Sequence, residues 1–342
     1  MSQVLPLLVV STGCPAGVGP EVSVAAAAKQ KRAATVLLGD EATLRKAAKV
    51  VGIAEKRLVP WDGQARDAGA GRDRQIYFAQ VGEPLRDRDR VPGKPSARAG
   101  QAQLEYIEAG FTLVKSSSLA ALVTGPVSKA AIAHSGLPRA RSFLGHTEWL
   151  QALDGAKTSV MCFVCDELAT SLVTTHLPLG RVPGSIKSAG VTVATVELAR
   201  LLQHLGKKKP SLAVASLNPH AGESELLGAE EARAIAPGIA QAKKVLGRGA
   251  SVSGPIGAET AYRKAAKGGY DGVVAMYHDQ ATIPMKLLAF GDAVNVTAGL
   301  SIVRTSVDHG TAYDIAWQGR ADAGGMLAAL ELGRRIVVGR GA

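Results

Sequence analysis

Seven short apolar runs punctuate this chain, and each is nearly continuous rather than alternating: Leu5–Val10, Thr35–Leu38, Leu119–Val123, Ser159–Val164, Ala169–Thr174, Ser211–Ser216 and Gly272–Met276. A strand that is apolar at successive positions is buried on both faces, as in the middle of a parallel sheet. Between the runs lie helical segments at Glu21–Lys31, Ala99–Ser116, Thr147–Leu153, Val191–Leu205, 228–246 and Glu259–Lys267. Pro237 is expected to interrupt the fifth of these. Such alternation predicts α/β/α layers around a mostly parallel sheet. At 342 residues there is room for two such domains. The segment "HSGLPRARS" separates two strand–helix groups, and "TSVDHGTAYDIA" is placed to return the chain to the first. The predicted division is therefore 1–140 with 310–342, and 141–309. Residues 60–96, rich in Gly, Pro, Arg and Asp, are expected to form a surface excursion.

The formal charge of +11 admits two kinds of partner, nucleic acid or small anions drawn into a cleft. Aromatic residues make up only 4%, the longest basic run is Lys207-Lys208-Lys209, and "RDRDR" at 86–90 alternates in sign. That is a poor footprint for nucleic acid, so none is expected. The three cysteines, Cys14, Cys162 and Cys165, point to a reducing cytoplasm rather than a disulfide framework. Cys162 and Cys165 have CxxC spacing, but in a strand residues three apart face opposite ways, so they read as two small buried hydrophobes. The start "MSQVLPLLVVSTGC" lacks a basic region and its apolar stretch is very short, and no run reaches membrane-spanning length. A cytoplasmic protein with no membrane partner is expected.

The chemistry collects where the apolar runs stop. His176 follows Ala169–Thr174, His220 follows Ser211–Ser216 and His278 follows Gly272–Met276. In open α/β sheets, ligands bind beyond the carboxyl ends of the strands. One such histidine reads as a hydrogen-bonded rim residue. Three in the same position suit a catalytic divalent cation with a coordination position left open for substrate. In "SFLGHTEWLQAL", Thr147 has the character of a helix N-cap with His146 beside it, and a helix N-terminus attracts anions. Lys286, Asn295 and Arg304 are expected on loops downstream of His278. "TGCPAGVGPE" joins a strand to a helix, and Gly13, Gly17 and Gly19 permit close backbone approach to a ligand, with neither dinucleotide nor P-loop spacing. "TGPVSK" is a similar turn whose Lys129 is placed to face the same cleft.

These blocks carry a resemblance. "GCPAGVGPE", "TGPVSK", "GHTE", "TTHLPL", "NPHAGE", "GPIGAETAY", "YHDQATIPMK" and "NVTAGLSIVRTSVDHGTAYDIA" run in order from Gly13 to about 322. Together they resemble the 4-hydroxythreonine-4-phosphate dehydrogenase family of pyridoxal phosphate biosynthesis. The resemblance implies an isocitrate/isopropylmalate dehydrogenase-like fold, two α/β domains flanking a cleft, and a homodimer with a shared active site. It implies that His176, His220 and His278 are metal ligands, for Zn, Mg or Co. His146, Thr147, Lys286, Asn295 and Arg304 match its substrate-binding positions. Asp308, His309, Gly310, Thr311 and Asp314 match the loop that holds the adenosine part of NAD (or NADP), which accounts for the missing dinucleotide fingerprint.

The implied reaction oxidises the secondary hydroxyl of 4-phosphohydroxy-L-threonine and then releases CO2, giving 3-amino-2-oxopropyl phosphate. A bound cation lowers the pKa of a coordinated hydroxyl, and hydride leaves for the nicotinamide. Asp279 is placed to orient a metal ligand or accept a proton, with Lys286 as its catalytic neighbour. Lys286 and Arg304 would offset phosphate and carboxylate charge. Four positions depart from the family pattern: Cys14 for an acid, Glu259 for aspartate, Ser301 for proline and Trp317 for glycine. Alternatives within the family are threonate or erythronate 4-phosphates and cyclic diol carboxylates. A metal-dependent hydrolase and a catalytically silent binding protein are rivals of other classes.

Overall fold

The computed structural model describes residues 5–64, 75–289 and 291–341. The chain divides into two compact units, Met1–Lys157 with Leu300–Ala342, and Thr158–Gly299.

In the first unit the strands are β1 (Leu7–Ser11), β2 (Ala34–Gly39), β3 (Leu58–Pro60), β4 (Ile76–Gln80), β5 (Ala120–Thr124) and β12 (Val303–Ser306). They lie in the order β3-β4-β2-β1-β5-β12, and every pairing is parallel. Val9, Val36 and Leu122 on one sheet face are sealed by Leu104 and Ile107 of α3 (Ala97–Lys115). The chain also forms α1 (Gly19–Lys29), α2 (Glu41–Val50), α4 (Lys129–Ala133), α5 (His146–Asp154) and α11 (Gly324–Arg340), the last packed on β5 and β12.

The second unit orders its strands β11-β6-β7-β10-β8-β9. These are β6 (Val160–Val164), β7 (Ala169–Leu172), β8 (Ser211–Ala215), β9 (Ser251–Ile256), β10 (Gly272–Ala275) and β11 (Val294–Ala298). β6 runs antiparallel to both neighbours; the rest of the pairings are parallel. Helices α6 (Val182–Ser185), α7 (Ser188–His204), α8 (Ala236–Leu246), α9 (Ala258–Ala265) and α10 (His278–Leu288) complete it. Strand β10 has β7 on one side and β8 on the other. The three strands that precede the three histidines are therefore immediate, parallel neighbours.

Several expectations change. The boundaries near 140 and 310 fall at 157/158 and 299/300 instead. The physical reasons are that Leu150 of α5 is buried in the first unit's core and β12 pairs with β5. Pro237 does not interrupt α8; it occupies its first turn, where its missing N–H is harmless, and a π-turn at Glu231–Ile235 precedes it. The stretch 60–96 is not all surface: β4 pairs with β2, and Asp89 and Arg90 are buried. Residues 65–74 of it lie outside the described residues.

Asp40, at the end of β2, explains why Arg90 can be buried. Its carboxylate accepts from Thr43 N at 2.9 Å, Leu85 N at 2.9 Å and Arg90 Nη2 at 3.1 Å. It thus caps α2 and ties the 85–90 segment to the sheet edge. Removing Asp40 takes away the helix cap and one of two carboxylates at Arg90, whose Nη1 still pairs with exposed Asp87 at 2.8 Å, and this costs about 1–3 kcal/mol. Asp40→Ala is expected to lower unfolding stability by that amount in a urea titration. An unchanged midpoint would show that water already satisfies Arg90.

Candidate active site

In the second unit, His176 and His278 meet. Their ring centroids lie 5.3 Å apart with the planes inclined at 39°. Two imidazoles at that spacing can both reach one ion, since metal–nitrogen bonds of about 2.0–2.1 Å suffice. His278 Nδ1 is 2.8 Å from Asp279 Oδ1, an arrangement that places the ring proton on Nδ1 and frees Nε2 as a ligand. The donor chemistry therefore fits a divalent cation. His220 leaves β8 with φ of 52°, in a segment where Ala221, Glu223, Ser224 and Glu225 are also left-handed. Such backbone is costly for residues with a Cβ and persists only where its surroundings hold it. The holder is Glu231: its carboxylate accepts from Leu217 N and Asn218 N, each at 2.8 Å, and from Asn218 Nδ2 at 2.9 Å. Among the described residues of one chain, no group of three His, Cys, Asp or Glu is close enough to hold a metal. The single chain thus brings together two of the three histidines.

Lys286 and Asn295 are not on loops. Lys286 lies on α10, exposed, and Asn295 lies on β11. The Asn295 Oδ1 acceptor is buried with no hydrogen-bond partner. A buried acceptor left open is costly, so it marks a place where a ligand or water belongs.

The first unit gathers basic side chains around His146. Arg304 lies on β12 rather than a loop and is 2% exposed. Its Nε and Nη2 donate to Thr124 Oγ1 at 3.2 and 2.6 Å. Burial pulls its pKa down to about 9, partly offset by the Glu148 carboxylate. It remains charged at neutral pH. His146 is the first residue of α5, whose N-cap is Gly145, so Thr147 is not the cap. Gly145 has φ of 167°, an extended backbone, and its side-chain-free position sits close to the Lys129 ammonium and the Glu148 carboxylate. His146 keeps some surface, but its Nε2 is buried without a partner. Desolvation, then the Arg304 and Lys129 charges, hold its pKa well below the usual 6.5. A buried guanidinium beside a neutral imidazole with an open nitrogen is chemistry suited to an anion.

The depressed pKa fixes a sign. As pH falls below 6.5 the unfolded chain takes up a proton at His146 that the folded chain resists, so stability is lost toward low pH. His146→Gln is expected to lose less melting temperature than the parent between about pH 7 and pH 5. Equal losses would mean that the ring protonates freely in the folded state.

Asp308 to Asp314 follow β12 in the same unit. Thr311 O accepts from Val18 N at 3.0 Å, His309 is exposed, and nothing lies within 4 Å of where a Gly310 side chain would start. His309 Nδ1 lies 3.0 Å from Gly310 O, and both residues stay exposed, as a loop that meets a nucleotide requires. The glycines of 13–19 serve another purpose than expected. A side chain at Gly13 would meet Pro126 O, at Gly17 Thr311 O and at Gly19 Thr12 O. They admit close approach of the chain's own backbone.

The four departures have local accounts. Cys14 is fully buried, 3.5 Å from the Tyr313 hydroxyl, and burial raises its pKa, so it is a neutral thiol where the family carries an acid. Glu259 opens α9 and accepts from Thr260 Oγ1 at 2.8 Å. Ser301 N donates to Asp154 Oδ2 at 2.8 Å, a bond that a proline could not make. Trp317 takes φ of 64°, a conformation natural to glycine, and is held by Glu21 Oε2 on its N–H at 2.6 Å and Pro15 O on its indole N–H at 3.1 Å. The Lys46 ammonium covers the ring at 4.7 Å. Of the pairs with CxxC spacing, Cys162 is buried and Cys165 half-buried, both free. No helix among the described residues is long and apolar enough to cross a membrane.

An α/β protein with histidines beyond its strand ends and a buried guanidinium beside a neutral imidazole has the chemistry of an enzyme acting on a charged metabolite. The comparisons make that an oxidoreductase, and the chain belongs to the family described as pyridoxal phosphate biosynthetic protein PdxA, which it matches over residues 31–333. It is 38% identical over 333 residues to the 4-hydroxythreonine-4-phosphate dehydrogenase of Desulfosudis oleivorans, covering 96% of this chain and 95% of that one. It is 36% identical over 332 residues to the D-threonate 4-phosphate dehydrogenase of Salmonella typhimurium, covering 96% and 98%. Its structure matches that of the 4-hydroxythreonine-4-phosphate dehydrogenase of Klebsiella pneumoniae with a TM-score of 0.81 at 34% identity, covering 97% and 99%. The fold is isocitrate/isopropylmalate dehydrogenase-like, as the resemblance implied.

Proposed function

We propose that the protein is an NAD- or NADP-dependent, divalent-metal-dependent dehydrogenase of a phosphorylated hydroxy acid. The observation that carries the substrate class is the buried Arg304 with His146 and Lys129 beside it, a pocket built for an anion. Arg304 holds that anion as a charged fork, and neutral His146 offers its open Nε2 to a hydroxyl or phosphate. His176 and His278 hold the cation, with Asp279 orienting His278 through Nδ1, and Asn295 Oδ1 accepts from a substrate hydroxyl. A cation held there would acidify a substrate hydroxyl, and bound NAD would accept the hydride. A β-keto acid product would then lose CO2.

4-Phosphohydroxy-L-threonine is the first candidate substrate, in pyridoxal 5'-phosphate synthesis. D-Threonate 4-phosphate is a second reading, favoured by the near-equal identity to the Salmonella enzyme and by the uncharged thiol at Cys14, which offers an α-amine no counter-charge. Incubating the protein with each compound, NAD and Zn, Mg or Co, and reading NADH absorbance, tests the proposal. NADH with either compound supports it; substrate consumed without NADH would favour the hydrolase, and nucleotide bound without turnover the silent protein.

A second copy of the chain completes the site. Among the described residues of one chain, only His176 and His278 of the three come together. Leu179, Leu226 and Leu287, which follow the carboxyl ends of β7, β8 and β10, are 70%, 82% and 81% exposed. Large apolar groups so exposed in the histidine-bearing unit suit a self-complementary interface. Leu287→Asp is expected to turn a dimer into a monomer in sedimentation velocity and to weaken metal binding. A parent protein that sediments as a monomer would remove the shared site.

A further inference from the structure

Gln280 stood unassigned between Asp279 and the rest of α10, and the strand ends show what it does. The β7–β10 ladder stops at Leu172 and Ala275, and the β10–β8 ladder at Val214 and Val274. The histidines stand beyond those last rungs, where backbone pairing no longer fixes the spacing of the three chains. On the β7 side, backbone and side chain of one residue continue the ladder: Thr174 N and Oγ1 both donate to Met276 O, at 3.2 and 2.7 Å. On the β8 side no backbone rung replaces it. There Gln280 Oε1 accepts from Met276 N at 2.6 Å and Gln280 Nε2 donates to Ser216 O at 2.8 Å. Ser216 N in turn donates to Ile256 O at 2.7 Å, which extends the row to the end of β9. One primary amide thus stands in for the missing rung, and it needs both of its functions, an acceptor toward Met276 and a donor toward Ser216.

We propose that Gln280 is a positioning residue of the metal site, fixing the chain that carries His278 against the chain that carries His220. The proposal rests on the metal-dependent reading given above. Met276 lies two residues before His278, and Ser216 runs into Leu217 and Asn218, which the Glu231 carboxylate holds. A shift at the amide therefore reaches His278 directly and the segment that carries His220, while the sheet below it keeps its own hydrogen bonds.

The test uses the full-length protein and cobalt(II) as probe. Affinity is measured by competition with a chelator, the ligand-field absorption spectrum reports coordination, and the melting temperature of metal-free protein reports folding. Gln280→Glu keeps an acceptor for Met276 N–H but turns an oxygen toward the Ser216 carbonyl; Gln280→Ala removes both bonds. Both variants are expected to bind cobalt about 10–100-fold more weakly with an altered spectrum, the range seen when a partner behind a metal ligand is lost. The metal-free melting temperature is expected to stay within a few degrees of the parent's. Unchanged affinity and spectrum in both variants would overturn the proposal, as would an affinity loss that only tracks unfolding of the metal-free protein. A parent chain that takes up no cobalt would overturn the metal reading itself and the role of Gln280 with it, a result distinct from the other two.

Discussion

His278→Ala is expected to abolish metal uptake and turnover together while leaving the fold intact. The ring is 36% exposed by its side chain and lies at the first turn of α10, so its loss opens no core cavity. It does remove one of two imidazoles 5.3 Å apart, and a cation held by one fewer nitrogen is released. Turnover is expected to fall at least about a thousandfold if the cation supplies several kcal/mol to the barrier. Metal content by mass spectrometry, dichroism and NADH formation on the same preparation separate the outcomes. A folded variant that keeps its metal and full activity would contradict the assignment.

Arg304→Ala is expected to raise KM about a hundredfold, equivalent to about 3 kcal/mol, with a smaller effect on kcat. The reasoning is that a guanidinium buried on β12, already pulled down to about 9, gains most from an anion that shares its desolvated site. Arg304→Lys keeps the charge but not the planar fork, so it is expected to recover only part of the loss. Both variants leave β12 paired with β5 through backbone bonds, so the fold is expected to survive. An unaltered KM in Arg304→Ala would place the substrate anion elsewhere.

The parts of the fold legible in the sequence were those written as apolar runs. All seven predicted runs coincide with strands, to within a residue or two, because β1, β2, β5, β6, β7, β8 and β10 are buried nearly throughout. Two of the missed strands lack that signature. β9 has the exposed, Gly- and Pro-containing sequence SVSGPI, and β3 is three residues long. Helix α10 was hidden by its own chemistry: HDQATIPMKLL opens on three polar residues and carries Pro284, so it read as a rim segment with Lys286 on a loop. The glycine-bearing sequence of α11 masked a helix in the same way.

The site was legible to the extent that it follows chain direction. Each histidine comes shortly after a strand, and parallel strands deliver their carboxyl ends to one edge. What sequence does not write is strand order. Only once β10 lies between β7 and β8 do Gln280 and Ser216 become neighbours, 64 residues apart in the chain. Glu231 was equally silent, since nothing in "GAEEARA" says that its carboxylate collects the N–H groups of Leu217 and Asn218. Lys129 was the exception: a strand-to-turn position alone marked it as a candidate, and the structure places its charge beside His146.

The most direct measurement is NADH formation by chelator-treated protein supplied with NAD and a phosphorylated hydroxy acid, before and after adding back Co, Zn or Mg. The dehydrogenase described above is silent when stripped and regains turnover with the ion, and His278→Ala does not regain it. Full NADH production by the stripped parent would contradict it, because imidazoles 176 and 278 would then hold nothing that the reaction needs.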